Sequence, residues 1–250
     1  MIQRSSTIVV RSETLMELGF DIYSEAAKAQ GITTEKADMI AAATPYALFA
    51  GQQRALCARI RERDAAFYAR LAASGFQLDF GEDDSGLMMK ALRTASGYYI
   101  DVGASEWIAR GDIGVIAGQG VTGQGVTGLT RDGLTLSDGK QVRADVIVAC
   151  TGYQSMHETV AGIVSRQAAD AIGHSWGMGS GVRGDPGPWQ GEIRNMWKPT
   201  AVDALWFHGG NLALSRFYSR FVALQLKARM EGIATPVWGR PGPVLKGVAP

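Results

Sequence analysis

The segment spanning residues 203–232 constrains the fold of this chain more than any other. Residues 204–207 are apolar and predict a short buried strand, which Gly209 and Gly210 end. An amphipathic run of about five turns follows, because its apolar residues recur at alternating steps of three and four. The segment therefore predicts a strand, a glycine turn and a helix.

The predicted helix has suitable residues at both ends and one apolar face. Asn211 is a favourable N-cap residue, and Gly232 suits the position just past a helix C-terminus. The apolar residues repeat on one side, so we expect that side to face the core. The residues expected on it are Leu214, Phe217, Phe221, Leu224 and Ala228.

The glycine pair has two interpretations. A glycine pair before a helix leaves backbone N–H groups unpaired beside the positive end of the helix dipole. Such a corner binds an anion or an electron-rich carbonyl group. An ordinary strand-to-helix turn has the same spacing, and the pattern alone does not separate the two.

The charge balance favours a small-molecule partner. The 250 residues include 25 basic and 24 acidic residues, a net charge of +1, so nothing favours nucleic acid or an anionic membrane. Cys57 and Cys150 are too few for a disulfide framework. Because the sequence shows no signal peptide and no apolar run of transmembrane length, we expect a cytoplasmic protein.

The beginning of the sequence contains a candidate phosphate-binding residue. Arg4 and Ser5 interrupt a strand-like stretch at residues 2–10. In a dinucleotide-binding unit, a basic residue at the end of the second strand accommodates a 2′-phosphate group. A solvated arginine at a strand end is the alternative interpretation.

A tandem repeat at residues 118–128 matches the G-x-G-x-x-G nucleotide-binding pattern twice. That pattern requires a helix to begin within it, whereas the following residues predict two short strands around Asp138 and Gly139. We therefore interpret the repeat as a lengthened hairpin loop.

A second candidate site follows a predicted strand. Residues 143–149 contain a continuous apolar run, which is typical of a buried parallel strand. Thr151, Gly152 and Tyr153 come next, and Gly152 removes a side chain where the strand would meet the ligand crevice of an open α/β sheet.

No metal site is predicted, and no catalytic side chain is assigned. The acidic residues of segment 79–84 do not follow the spacing of a calcium-binding loop, and no His or Cys joins them. The three histidines lie at no ligand spacing: they are His157, His174 and His208.

Five segments together resemble the C-terminal half of bacterial flavin-containing monooxygenases. They are residues 3–6, 31–38, 98–106, 145–153 and 207–216. The Cys-Thr-Gly-Tyr turn at 150–153 and the Gly-Gly-Asn sequence at 209–211 are the most specific of them, although Cys150 departs from the usual pattern. These enzymes are similar to plant indole-pyruvate monooxygenases and, more distantly, to Baeyer–Villiger monooxygenases.

The resemblance implies an α/β flavoprotein with two dinucleotide-binding domains, in which an NADPH domain is inserted into an FAD domain. Residues 1–142 would be a partial NADPH-binding domain with a helical insertion. Residues 143–250 would be the C-terminal segment of the FAD-binding domain, with a tail rich in Pro and Gly.

The resemblance also implies cofactor-binding residues. Arg4 and Ser5 match the position that binds the 2′-phosphate of NADPH. Thr151, Gly152 and Tyr153 match a linker turn near the cofactors.

Gly209, Gly210 and Asn211 match the start of a helix beside the flavin ring, where backbone amides stabilise negative charge at the N1–C2 carbonyl region. In the family, NADPH reduces FAD, O₂ adds at flavin C4a, and the resulting hydroperoxide oxygenates a small organic substrate. The flavin performs this chemistry.

The sequence also departs from the family in its glycine-rich turns. It contains no G-x-G-x-x-G turn that opens a helix, so we expect a longer chain or a partner chain to supply the first part of each cofactor site. Two alternatives remain open: a flavoprotein NAD(P)H reductase that does not oxygenate, and a non-enzymatic remnant. The absence of a Cys-x-x-Cys pair argues against the disulfide-reductase branch of the first alternative.

Overall fold

The computed structural model describes residues 1–117, 125–152, 154–178 and 193–237. These residues have a mixed α/β structure with parallel strands and are divided between two compact units. The first unit contains the described residues of Met1–Ala27, Phe49–Ala91 and Ser96–Gly152. The second contains those of Lys28–Leu48, Leu92–Ala95 and Tyr153–Pro250.

The strands found among the described residues all belong to the first unit. They are β1 (Ile2–Gln3), β2 (Thr7–Arg11), β3 (Leu78–Asp79), β4 (Tyr98–Asp101), β5 (Ile116–Ala117), β6 (Val126–Thr130), β7 (Gly133–Leu136) and β8 (Gln141–Arg143). Residues 98–106, one of the five segments of the resemblance, form β4 and the beginning of a short helix.

The helices are distributed over both units. They are α1 (Ser12–Thr14), α2 (Glu25–Ala29), α3 (Thr34–Ala43), α4 (Tyr46–Arg63), α5 (Ala65–Ala73), α6 (Gly86–Thr94), α7 (Ala104–Arg110), α8 (Met156–Ile163), α9 (Arg166–Ile172) and α10 (Leu212–Met230). A π-helical turn, Leu15–Gly19, and a 3₁₀ turn, Asp21–Tyr23, follow α1. None of the helices described has the length and apolar content needed to cross a membrane.

A parallel sheet with the strand order β3-β2-β4 forms the core of the first unit. Its central strand is covered on both faces, because Ile8, Val9 and Val10 are all buried. A continuous β-branched run is the sequence signature of such a strand. The side chains packed in this core include Leu15, Ile60, Phe67, Tyr68, Leu71, Phe76, Leu87 and Ile108.

An antiparallel sheet with the order β6-β7-β8 confirms the hairpin predicted after the glycine-rich repeat. Gly139 has a φ of +82° in the turn before β8, and the Lys140 N–H donates to Asp138 Oδ1 at 3.0 Å. Residues 118–124 lie outside the described residues. In the described part of the repeat a strand, β6, begins at Val126 and no helix begins, as the hairpin interpretation requires.

The prediction of a buried strand at residues 143–149 was wrong. β8 ends at Arg143, and residues 144–152 have no regular secondary structure. Val146 and Val148 are each 79% exposed. An apolar run becomes a strand only where neighbouring strands pair its backbone groups. None of the described strands pairs with residues 144–152.

The prediction that the apolar face of the last helix is buried was also partly wrong. Within α10, Phe221 is 48% exposed and Leu224 is 68% exposed. The helix instead contacts its unit through polar and aromatic side chains. The Gln225 side chain donates to the Trp197 carbonyl at 2.9 Å, and the Arg229 guanidinium lies 5.0 Å from the centre of the Trp206 ring.

We predict that Gly133→Ala destabilises the first unit much more than Gly128→Ala. A Cβ at Gly133, where φ is +157°, would lie 1.9 Å from the Val142 carbonyl oxygen, so we expect the free energy of unfolding to fall by about 3 kcal/mol. A Cβ at Gly128 would meet open space, and the change should be within about 0.5 kcal/mol. Urea unfolding followed by circular dichroism measures both values. Equal losses would contradict this packing of β7 against β8.

Candidate functional site at the N-terminus of α10

The ends of α10 match the sequence prediction. Asn211 is the N-cap residue, and its side-chain oxygen accepts from the Leu214 N–H at 2.9 Å. At the other end, Gly232 has a φ of +72°, its N–H donates to the Arg229 carbonyl, and the Ile233 N–H donates to the Ala228 carbonyl. This is a Schellman C-cap.

We call residues 209–213 the α10 start. Its glycine pair allows a close turn: Gly210 has a φ of +87°, and a Cβ there would lie 2.9 Å from Leu214 Cδ1. A Cβ at Gly209 would lie 3.3 Å from Met196 Cε. The chain therefore requires glycine at 210 for its backbone conformation, and it has little room for a side chain at 209.

The α10 start presents unpaired backbone donors to solvent. Within the part of the chain that the structure describes, the N–H groups of Leu212 and Ala213 donate to no acceptor. Gly210, Asn211 and Leu212 are exposed. The positive end of the helix dipole is thus accessible to a ligand.

A buried indole lies beside these donors. Trp197 is 7% exposed, and its ring stacks on Tyr218 with centroids 4.2 Å apart and planes 14° apart. The Trp176 ring packs edge-on at 6.5 Å. Among the described residues, Trp197 Nε1 has no hydrogen-bond acceptor, whereas Trp206 Nε1 donates to Gln225 at 3.1 Å.

Several residues around this indole have left-handed backbone conformations that favour glycine. The φ angles are +68° at Trp176, +57° at Asn195, +58° at Trp197 and +61° at Ala204. Each such conformation costs roughly 1 kcal/mol or more. The Asn195 side chain holds the segment by donating to the His174 carbonyl at 2.8 Å. Clustered backbone strain of this kind is a feature of binding and catalytic sites.

Tyr218, which stacks on Trp197, pairs with a second tyrosine. The Tyr218 hydroxyl hydrogen-bonds with that of Tyr46. Burial raises the pKa of Tyr46 well above its ordinary value, and the neighbouring Tyr218 raises it further. Burial also raises the pKa of Tyr218. Both hydroxyls are therefore neutral at physiological pH and serve as hydrogen-bonding groups.

Two ion pairs fix α10 against α3. Arg216 binds the buried Asp38 with both ends of its guanidinium, from Nε to Oδ2 at 2.7 Å and from Nη2 to Oδ1 at 2.6 Å. One turn further on, Arg220 binds the exposed Glu35 at 2.8 Å. The first pair lies one turn from the α10 start and so sets the position of that helix end.

We predict that Asp38→Asn lowers the free energy of unfolding by about 2 kcal/mol, because it removes the charge from a buried bidentate pair and leaves polar groups imperfectly matched. Glu35→Gln is the matched control on the same two helices. Its pair is exposed at both ends, so its loss should stay below about 1 kcal/mol. Urea unfolding gives both values, and equal losses would contradict a structural role for the buried pair.

The histidines and acidic residues have other roles. His208 Nε2 lies 2.7 Å from Ser215 Oγ at the first turn of α10, while Asp83 pairs with Arg54 and Asp84 with Arg61. Within the described ranges, no three His, Cys, Asp or Glu side chains group as metal ligands.

Arg4 and Ser5 lie between β1 and β2 and are exposed. They thus follow the carboxyl end of β1 and precede the amino end of β2, the central strand of the β3-β2-β4 sheet. Arg4 has no ion-pair partner among the described residues. Its guanidinium is therefore available to an anion, and its role in binding a 2′-phosphate stays a prediction.

The second predicted site lies in the exposed segment after β8. Thr151 and Gly152 are exposed, and Gly152 has a φ of +94°. Tyr153 lies outside the described residues. Because residues 144–152 form no strand, the crevice expected at a strand end is not formed by this segment, and the cofactor role of these residues stays a prediction.

The structure also has a cleft that the sequence did not reveal. It has a volume of about 410 Å³ and lies at the carboxyl ends of β2 and β4, where open α/β sheets bind ligands. Arg70 and Glu106 form a bidentate ion pair at its edge, at 3.0 and 2.9 Å. Its lining comprises Arg11, Ser12, Glu13, Phe67, Arg70, Asp101, Val102, Gly103 and Glu106.

Comparison with models of known protein families finds no match to this chain, and comparison with curated proteins finds none either.

Proposed function

We propose that this chain is part of an FAD- and NADPH-dependent monooxygenase that oxygenates a small organic substrate. The observation that carries the proposal is the α10 start, where backbone donors open to solvent beside a glycine pair and a buried indole. On this proposal, residues 143–250 contribute to an FAD-binding domain and residues 1–142 to an NADPH-binding domain.

The chemistry of the α10 start fits the pyrimidine edge of a flavin. That edge carries carbonyl oxygens, and the reduced ring carries negative charge near N1 and C2. The Leu212 and Ala213 amides and the helix dipole would stabilise this charge. Gly209 and Gly210 have no side chains, so a flat ring is able to approach their backbone.

The first unit fits the NADPH side of the proposal. A parallel sheet whose central strand is buried on both faces is the framework of dinucleotide-binding domains. Arg4 is exposed and unpaired within the described ranges, as a residue that awaits a phosphate group should be. Ser5 adds a hydroxyl donor next to it.

FAD would supply the electron transfer from NADPH to O₂. The residues of this chain would then bind and orient the cofactors. The α10 start would hold the flavin ring, Arg4 would hold the 2′-phosphate, and the Asp38–Arg216 pair would keep α10 in position.

We predict that the purified chain binds added FAD through the α10 start, even without the first part of the cofactor site, and that Gly210→Ala lowers the affinity at least tenfold. A methyl group at 210 would strain the left-handed backbone and meet Leu214 at 2.9 Å, which displaces the α10 start. Flavin fluorescence quenching measures the dissociation constants.

Gly232→Ala is the control for this variant. It introduces the same methyl group at a φ of +72° at the opposite end of α10, where nothing lies within 4 Å. We expect it to lower stability by about 1–2 kcal/mol without changing flavin affinity. An unsubstituted chain that binds no flavin would contradict FAD binding by this chain. Equal flavin affinities in the two variants would contradict the placement of the flavin.

We predict a preference for NADPH over NADH that depends on Arg4. Arg4→Gln should weaken NADPH binding about tenfold and leave NADH binding unchanged, because the lost interaction involves only the 2′-phosphate. Arg131→Gln, which removes an exposed arginine of the same unit, controls for net charge. Fluorescence titration of the reduced cofactors measures the effect. Equal weakening of both cofactors by Arg4→Gln would contradict the assignment.

A further inference from the structure

The indole N–H of Trp197 is one of a few buried polar groups of the described residues that have no hydrogen-bond partner. More than about 90% of buried polar groups are hydrogen-bonded, and leaving one unpaired costs about 1–3 kcal/mol. Trp206, in the same unit, satisfies the rule through Gln225. Trp197 Nε1 is buried and has no acceptor among the described residues.

The unpaired N–H lies on the same edge of the indole as Cζ2, the ring atom that approaches the α10 start. Trp197 Cζ2, which adjoins the ring carbon bonded to Nε1, is 3.4 Å from the position of a Cβ at Gly210. The unpaired amides of Leu212 and Ala213 belong to the same helix end. Donors thus collect here, and the side-chain oxygen of Asn211 is already engaged as the N-cap.

The backbone holds this indole in place independently of any ligand. The Trp197 N–H donates to the Phe207 carbonyl at 2.9 Å, and the Trp197 carbonyl accepts from Gln225 at 2.9 Å. Stacking on Tyr218 fixes the ring plane. The donor is therefore preorganised, even though Trp197 has a strained φ of +58°.

We propose that Trp197 Nε1 is a ligand-binding donor at the α10 start. Together with the Leu212 and Ala213 amides, it donates to a polarised carbonyl oxygen of a planar ring. A donor-only corner binds an oxygen with negative charge. The glycine pair admits a flat molecule, and the identity of that molecule as the flavin pyrimidine ring rests on the proposed function.

The test follows the indole N–H resonances of the ¹⁵N-labelled chain by NMR. FAD is added in one titration and acetate in another, because a free carboxylate offers the same oxygen chemistry without a ring. We expect saturable movement of the Trp197 resonance with FAD to lower field, as the N–H gains an acceptor, and no movement of Trp206, whose N–H is already paired. Resonances are assigned with the variants below.

Trp197→Phe keeps an aromatic ring on Tyr218 and removes the donor. We expect its dissociation constant for FAD to rise about tenfold, as for a lost hydrogen bond to a partly charged acceptor. Trp206→Phe is the matched control, because it removes an indole N–H whose partner is Gln225, and its FAD affinity should be unchanged.

The outcomes separate this inference from the proposed function. FAD binding that leaves the Trp197 resonance unmoved overturns the inference and leaves the flavin site standing. Movement with acetate but no binding of FAD supports the donor site and overturns its assignment to a flavin. A resonance that moves with neither probe overturns the inference outright.

Discussion

The requirement that polar groups removed from water be paired governs most of this structure. β2 is buried on both faces and stable there because β3 and β4 pair with its backbone on either side. Residues 144–152, which include the apolar run that was predicted as a strand, have no such partners and remain in solvent. The same physical rule thus accounts for a strand that forms and for a strand that does not.

In the second unit, the same need to pair polar groups shapes the two ends of α10. Asn211 and the Schellman turn satisfy groups at both termini of α10, and the Asp38–Arg216 pair neutralises a buried carboxylate beside its first turns. The first amides of the helix and the nearby Trp197 indole N–H are left without acceptors among the described residues. Because the caps and the Asp38–Arg216 pair fix the helix, these amides keep a constant direction, which is what a ligand-binding group requires.

The parts of the fold that sequence predicted well are those set by local chemistry. The cap at Asn211, the left-handed Gly232 and the hairpin turn at Gly139 depend on residues within a few positions, and each was predicted. The exposure of Leu224 and of Val146 was not predictable, because apolar spacing does not say which neighbour will cover a face. The unpaired indole of Trp197 had no sequence signal at all, since an absent partner is a property of the folded chain.

On the proposed function, the energetics at the α10 start would favour a bound state. An unpaired buried N–H costs about 1–3 kcal/mol, and each left-handed residue around it costs roughly 1 kcal/mol or more. A protein of ordinary stability, about 5–15 kcal/mol, retains such costs where binding offsets them. A ligand oxygen that accepts from Trp197 and from the first amides of α10 would directly remove the cost of the unpaired buried N–H. It would leave the backbone strain in place, and that strain keeps the donors aligned before the ligand arrives.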